Sequence, residues 1–291
     1  MKIVVFGAGA IGGLFGAYLS QRHDVTLVCR EKHAATINEK GLTITRLSNI
    51  HARPKAASSI TDLEQPDILI LTVKAYDTEA AMAEAKPLVG PSTKVLSLQN
   101  GIGNLETIAG AVPETKIIGA ITSQGAILRK PGLIEHTGKS YTIVGDEGIA
   151  TMFTEAGIEA QYTDKIQAEI WYKAIVNSVI NPIGTLMKDR NGLLVRDRRF
   201  EPLARQIVRE GVEVANAMGI GLDYETAWEK TIKVATETAE NICSMRLDVE
   251  RGKRTEIEQT NGAIAGFGRE MDVPAPANGL LAALVKAMEK N

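Results

Sequence analysis

Residues 169–182 read E-I-W-Y-K-A-I-V-N-S-V-I-N-P, and in them Lys173, Asn177 and Asn181 recur at every fourth position. At ~100° per residue, side chains so spaced fall within about 80° of one another, so one edge of a helix here is polar. Ile170, Trp171, Tyr172, Ala174, Ile175, Val176, Val179 and Ile180 cover nearly all the rest of the circumference, which predicts a buried helix. A buried ammonium needs a partner and a buried amide needs hydrogen bonds. Either these are core groups satisfied internally, or the edge faces a ligand and offers it one proton donor and two amides. Lysine is seldom buried without a reason. An apolar setting should lower its pKa from ~10.4 and make it a better donor near neutrality.

Two other polar groups belong with this set. Ser244, in N-I-C-S-M-R, is expected where a helix nears its end, either offering a hydroxyl to a carboxylate or standing as a surface serine. In R-T-E-I-E-Q-T-N-G, Thr255 and Glu258 have capping-box spacing, which places Glu256 in a first helical turn. The helix field there favours an ionised carboxylate, whether it holds a ligand or only answers the macrodipole.

A second constellation opens the chain. The apolar, β-branched run 2–6 predicts a buried parallel strand, and G-A-G-A-I-G follows it directly, with Gly7, Gly9 and Gly12 at dinucleotide spacing. Helix over 13–20 and strand over 24–29 complete a βαβ unit. In that context Gly7 makes the tight turn, Gly9 lets the backbone approach a pyrophosphate and Gly12 packs helix on strand; Ala8, Ala10 and Ile11 complete the cofactor loop. Arg30 stands at the end of the second strand, where an NAD site usually places an acid. A guanidinium there suits a 2′-phosphate and so favours NADP(H), although a strand-end arginine beside Glu31 can also be simple surface. Lys74, after the strand 67–73, reaches cofactor phosphate or adenosine, or is solvated. Asn100, in Q-N-G-I-G after the strand 94–98, suits contact with nicotinamide or substrate, or with its own turn.

These residues need a frame. Residues 1–164 read as an α/β, doubly wound sheet with an antiparallel extension, in which 133–137 and 141–145 form a hairpin closed by His136. Residues 42–56 are a strand-and-turn excursion without an assigned role. From 165 to 291 the pattern is all helical, over 165–181, 197–218, 224–248, 256–270 and 278–290. Pro182 should end or kink the first of these helices. With no linker of low complexity, the two domains are expected to pack across a cleft. The chain has 291 residues, 44% hydrophobic and 4% aromatic, with a net charge of −2, which argues against a general nucleic-acid binder. No apolar run reaches the ~20 residues of a membrane span, and the first strand begins at once, without a signal-peptide core. Cys29 and Cys243 read as reduced thiols, and the four scattered histidines as no metal site. The expectation is a cytoplasmic protein.

Together, G-A-G-A-I-G-G, Q-N-G-I-G, W-Y-K-A-I-V-N-S-V-I-N-P, Ser244-Met245, T-E-I-E-x-x-N-G and V-P-A-P-A-N resemble ketopantoate reductase (2-dehydropantoate 2-reductase) over nearly the whole chain. The resemblance implies an N-terminal Rossmann-type NADP(H)-binding domain, 1–164, and a helical substrate and catalytic domain, 165–291. It also implies NADPH-dependent reduction of 2-dehydropantoate to (R)-pantoate, on the route to pantothenate and coenzyme A. Lys173 matches the general acid and Glu256 the acidic residue that fixes the substrate. Asn100 matches the amide near the nicotinamide, Asn177, Asn181 and Ser244 match substrate positions, and Arg30 and Lys74 match the 2′-phosphate side. Cys243, Arg246, Leu247 and Glu258 depart from the family pattern along the substrate wall. Another 2-keto or 3-hydroxy acid is the alternative substrate, and a non-catalytic NADP(H)-binding regulator the alternative class. The partner is a small 2-keto acid, with no nucleic acid or membrane, and a homodimer fits the exposed helical surface.

Overall fold

The computed structural model describes residues 1–289. It divides into two compact units: Met1–Gln99 with Asn104–Ile166, and Asn100–Gly103 with the chain from Gln167 onward.

The first unit contains β1 (Lys2–Phe6), α1 (Ala10–Leu19), β2 (Asp24–Val28), α2 (Glu31–Lys40), β3 (Leu42–Arg46), β4 (Ile50–Ala52), β5 (Lys55–Ala57) and β6 (Ile68–Leu71). After these come α3 (Thr78–Ala85), β7 (Lys94–Ser97), α4 (Asn104–Ala109), β8 (Ile117–Thr122), β9 (Gly125–Lys130), β10 (Leu133–Gly138), β11 (Thr142–Val144), α5 (Glu147–Glu155) and β12 (Ala160–Tyr162). Eight strands form one sheet in the order β12-β11-β8-β7-β6-β1-β2-β5. Its centre is parallel: Val5 pairs with Leu27 on one side and Ile70 on the other. The alternation of a strand decides which layer each side chain joins. Ile3, Val5, Ile68 and Ile70 pack with Leu14, Phe15 and Phe153 on one face, while Val4, Phe6, Leu69 and Leu71 meet Met82, Leu88 and Ile108 on the other. Both faces are covered, so the strands are apolar throughout, as a doubly wound sheet requires.

A smaller sheet, β4-β3-β10-β9, corrects the expected hairpin. β10 pairs antiparallel with β9 and parallel with β3, whereas β11 pairs with β8 and β12 in the large sheet. His136 therefore closes no turn. It is buried on β10, with Nδ1 at 2.6 Å from Ser48 Oγ and Nε2 at 2.8 Å from Gln124 Oε1.

The second unit is built from α6 (Ile166–Leu186), α7 (Leu193–Arg196), α8 (Glu201–Ala217), α9 (Tyr224–Glu237), α10 (Ser244–Glu250), α11 (Asn261–Glu270) and α12 (Pro276–Lys286). Its core joins Trp171, Ile175 and Val179 of α6 to Ile207, Val208 and Val212 of α8 and Ile264 of α11. The predicted end of the last helix, Lys290, lies outside the described residues.

Two helix boundaries differ from those expected, for reasons of distant contact. Pro182 does not end α6, which runs on to Leu186. Proline cannot donate to the carbonyl four residues back, but the side chain of Asn261 donates to that carbonyl, Ser178 O, at 2.9 Å. The long helix expected over 224–248 is two helices. Between them the carbonyls of Ala239 and Asn241 turn aside to accept from the N–H groups of Gly192 (3.1 Å) and Asn191 (3.0 Å).

Candidate active site

The parallel strands of the first unit end at one edge, where open sheets collect ligands. Gly7 follows β1 with φ +87°, and the N–H groups of Gly7 and Ala8 donate to Val28 O at 3.0 and 2.9 Å, tying the turn to the end of β2. A Cβ on Gly7 would strike Val73, so only glycine fits. Gly12 is buried against Thr72 and Val5 and has no more room than Gly7. Gly9 differs. It caps α1 without a side-chain bond, and a Cβ there would find nothing closer than Gly7 O at 3.8 Å. The space before the first-turn N–H groups of Ala10, Ile11 and Gly12 is left open on the Gly9 side, and those donors at the positive end of the helix dipole suit a pyrophosphate.

Arg30, exposed, lies just past β2 and caps α2. Lys74 is half-buried after β6, at the entry to the short turn Ala75–Asp77. No carboxylate stands at the end of β2, since Cys29 precedes Arg30 and Glu31 already belongs to α2. Burial pushes the Cys29 thiol up to about 11, so it is not a thiolate at neutral pH.

In the second unit Lys173, Asn177 and Asn181 are each half-buried, while Trp171, Ala174, Ile175, Val176 and the run Ser178–Ile180 are buried. Lys173 Nζ donates to Asn100 Oδ1 at 2.7 Å. Burial of the ammonium pushes its pKa down to about 8, and the attraction of the Glu256 carboxylate opposes part of that fall.

Glu256 is nine-tenths buried, but its setting corrects the expected capping box. It caps a single 3₁₀ turn, Ile257–Gln259, and α11 starts only at Asn261. Thr255 Oγ1 accepts from Ile257 N at 3.2 Å, as a cap does. The N–H of Thr255 is held by Glu289 at 2.8 Å, while Glu258 pairs with Lys286 at 3.1 Å.

The same turn grips the loop that carries Asn100. Ile102 N donates to Gln259 O at 2.9 Å, and Gly101, at φ +87°, lies so close that a Cβ would sit 2.6 Å from that oxygen. Lys173, Asn100 and Glu256 are thus brought together by α6, the 100–103 loop and the 256–259 turn. Ser244 is the first residue of α10 and exposed, not near a helix end as expected.

Sequence reading missed Asn261, Asn278 and Glu210, which are fully buried and hydrogen-bonded to one another or to α6. The one available signal was Pro182 inside an apolar helix, which demands a substitute donor from elsewhere. Among the described residues no group of histidine, cysteine and carboxylate side chains is arranged to hold a metal, and no helix is long and apolar enough to cross a membrane.

A glycine-rich dinucleotide turn on a parallel sheet, followed by a helical unit presenting a lysine of lowered pKa, is the build of a nicotinamide-nucleotide oxidoreductase. Residues 3–148 match the family described as ketopantoate reductase PanE/ApbA, and residues 165–289 match that family's C-terminal part. The chain belongs to the ketopantoate reductase family. It is 42% identical over 301 residues to the 2-dehydropantoate 2-reductase of Pyrococcus horikoshii, covering 99% of this chain and 98% of that one. With the enzyme of the same name from Archaeoglobus fulgidus it shares 38% over 299 residues, covering 99% of this chain and 98% of the other. Among solved structures, the PanE/ApbA family ketopantoate reductase from Ralstonia eutropha JMP134 superposes with a TM-score of 0.92 at 30% identity, covering 99% and 98% of the two chains. A ternary structure of D-mandelate dehydrogenase with NADH and anilino(oxo)acetate superposes with a TM-score of 0.93, also at 30% identity and with the same coverage.

Proposed function

We propose that this chain is a 2-dehydropantoate 2-reductase, which reduces the C2 ketone of 2-dehydropantoate to (R)-pantoate with NADPH, on the route to pantothenate and coenzyme A. The observation that carries the reading is the Lys173–Asn100 hydrogen bond of 2.7 Å on an ammonium whose pKa lies near 8, within a family whose members include enzymes of that name.

Bound NADPH supplies the hydride. The first-turn N–H groups of α1 receive its pyrophosphate, Gly7, Ala8, Gly9, Ala10, Ile11 and Gly12 shape the approach, and Arg30 and Lys74 take the 2′-phosphate side. As C2 accepts hydride, charge grows on its oxygen. Lys173 donates a hydrogen bond to that oxygen and then its proton, becoming a neutral amine that solvent reprotonates. Asn100 aims the ammonium, since a 2.7 Å bond to its amide oxygen fixes one of three N–H directions. Glu256 keeps the ammonium charged near neutrality and fixes the substrate. Asn177 and Asn181 give amide contacts along the same helix edge, and Ser244 offers a hydroxyl to the carboxylate. The reading carries with it a cytoplasmic enzyme with no membrane or nucleic-acid partner.

The test is loss of NADPH absorbance on adding 2-dehydropantoate to the purified chain. No loss at any pH between ~6 and ~8, where Lys173 is charged, would refute the reading. The D-mandelate dehydrogenase neighbour favours a second reading, reduction of another 2-keto acid. A higher kcat/KM for 2-oxo-2-phenylacetate than for 2-dehydropantoate would select it.

A further inference from the structure

Two motifs are left over by the reaction as described: the Asn-Gly at 261–262 and the asparagine that ends V-P-A-P-A-N. Both asparagines are fully buried, and so is Glu210, a carboxylate set among backbone and amide donors. Asn261 Nδ2 donates to Ser178 O at 2.9 Å and to Asn278 Oδ1 at 3.0 Å. Asn278 Nδ2 donates in turn to Glu210 Oε2 at 2.9 Å and to Ile207 O at 3.3 Å. Glu210 also accepts from the N–H groups of Ala277 and Asn278, each at 3.0 Å, and from Gln206 Nε2 at 3.1 Å. One unbroken chain of bonds therefore joins α6 to α11, α12 and α8.

The α6 end of that chain falls where the helix needs it. Ser178 is four residues before Pro182, so its carbonyl is the one a normal residue 182 would have bonded. Ser178 also lies between Asn177 and Asn181. Left without a donor, this buried carbonyl would be costly, and opening the helix at the proline to hydrate it would add to the kink that proline favours. A kink there would turn Asn181 away from the line it shares with Asn177 and Lys173.

We propose that Asn261 is a positioning residue for the reaction: it supplies the hydrogen bond that Pro182 cannot give to Ser178, and so keeps Lys173, Asn177 and Asn181 on one edge of a continuous helix. The proposal rests on the reductase reading above. It makes a demand that plain core stability does not: returning an N–H to position 182 should make Asn261 dispensable for the chemistry.

The experiment compares the full-length wild type, Asn261→Ala, Pro182→Ala and the double variant. It measures kcat and KM for 2-dehydropantoate at saturating NADPH, and Kd for NADPH. Asn261→Ala is expected to lower kcat ~10–100-fold through misplacement of the polar edge, with Kd for NADPH unchanged. Pro182→Ala should stay near wild type, and the double variant should recover kcat at least ~10-fold over Asn261→Ala. If Asn261→Ala does not fold, Asn261→Ser, with and without Pro182→Ala, carries the same expectations. A wild-type kcat in the single Asn261 variant, or a double variant no faster than the single, overturns the proposal alone. A wild type inactive on 2-dehydropantoate overturns the reductase reading, and the proposal with it.

Discussion

Raising the pH should switch off ketone reduction more than two units before an ordinary lysine would titrate. Burial holds the Lys173 pKa near 8 against 10.5 for a free side chain. Reduction needs the ammonium, and with a pKa near 8 about nine-tenths of the enzyme carries it at pH ~7 but only about one-tenth at pH ~9. The kcat/KM for 2-dehydropantoate, which reports the free enzyme, therefore falls about tenfold over that interval, whereas an unperturbed lysine would lose only a few per cent. The reverse reaction, oxidation of (R)-pantoate by NADP⁺, needs the neutral amine and must rise over the same interval. Glu256 supplies a control of known sign. Its carboxylate raises the Lys173 pKa, so Glu256→Gln must move the break to lower pH. The assay is initial rate by NADPH absorbance at constant ionic strength, in both directions. A forward profile flat from pH ~7 to ~9, or a break that Glu256→Gln moves upward, would refute the assignment of Lys173 as proton donor.

Other substitutions separate cofactor contacts from packing. A Cβ in Gly9→Ala meets nothing closer than Gly7 O at 3.8 Å, so the change should cost less than ~1 kcal/mol in urea unfolding yet raise Kd for NADPH, whereas Gly12→Ala, crowded by Thr72 and Val5, should cost ~1–3 kcal/mol of stability as well. Equal stability losses in the two variants would contradict this. Arg30→Ala should raise KM for NADPH at least ~10-fold and leave KM for NADH nearly unchanged, since only the former carries a 2′-phosphate for the guanidinium; parallel changes would contradict that. Gly101→Ala forces a Cβ against Gln259 O in a left-handed conformation, so kcat should drop ~10-fold or more as Asn100 shifts from Lys173; unchanged turnover would show that the loop does not aim the ammonium.

Legible in the sequence was what short stretches of chain decide alone. The sheet strands carry their burial in a few β-branched residues, and the Gly7–Gly12 turn is complete within one βαβ unit. The Lys173, Asn177 and Asn181 edge is visible because a single helical period generates it. What escaped was settled by partners far away in the chain. Asn261, which carries α6 past Pro182, stands 83 residues from its acceptor Ser178. Glu289, 34 residues on, takes the Thr255 N–H that a capping box would have given to Glu258. The break after α9 depends on N–H groups at 191 and 192, and β10, which carries His136, and β11 belong to different sheets because of their neighbours, not the turn between them. Ser244 was misplaced by the same break, which made it the start of a helix instead of its end.

The central claim is that the ammonium of Lys173 protonates the oxygen of the reduced ketone. Turnover of Lys173→Ala, with NADPH and 2-dehydropantoate both saturating and NADPH binding measured alongside, tests it most directly. The account predicts a kcat lower by about 10²–10⁴-fold with Kd for NADPH unchanged. A kcat within a few-fold of wild type would contradict it.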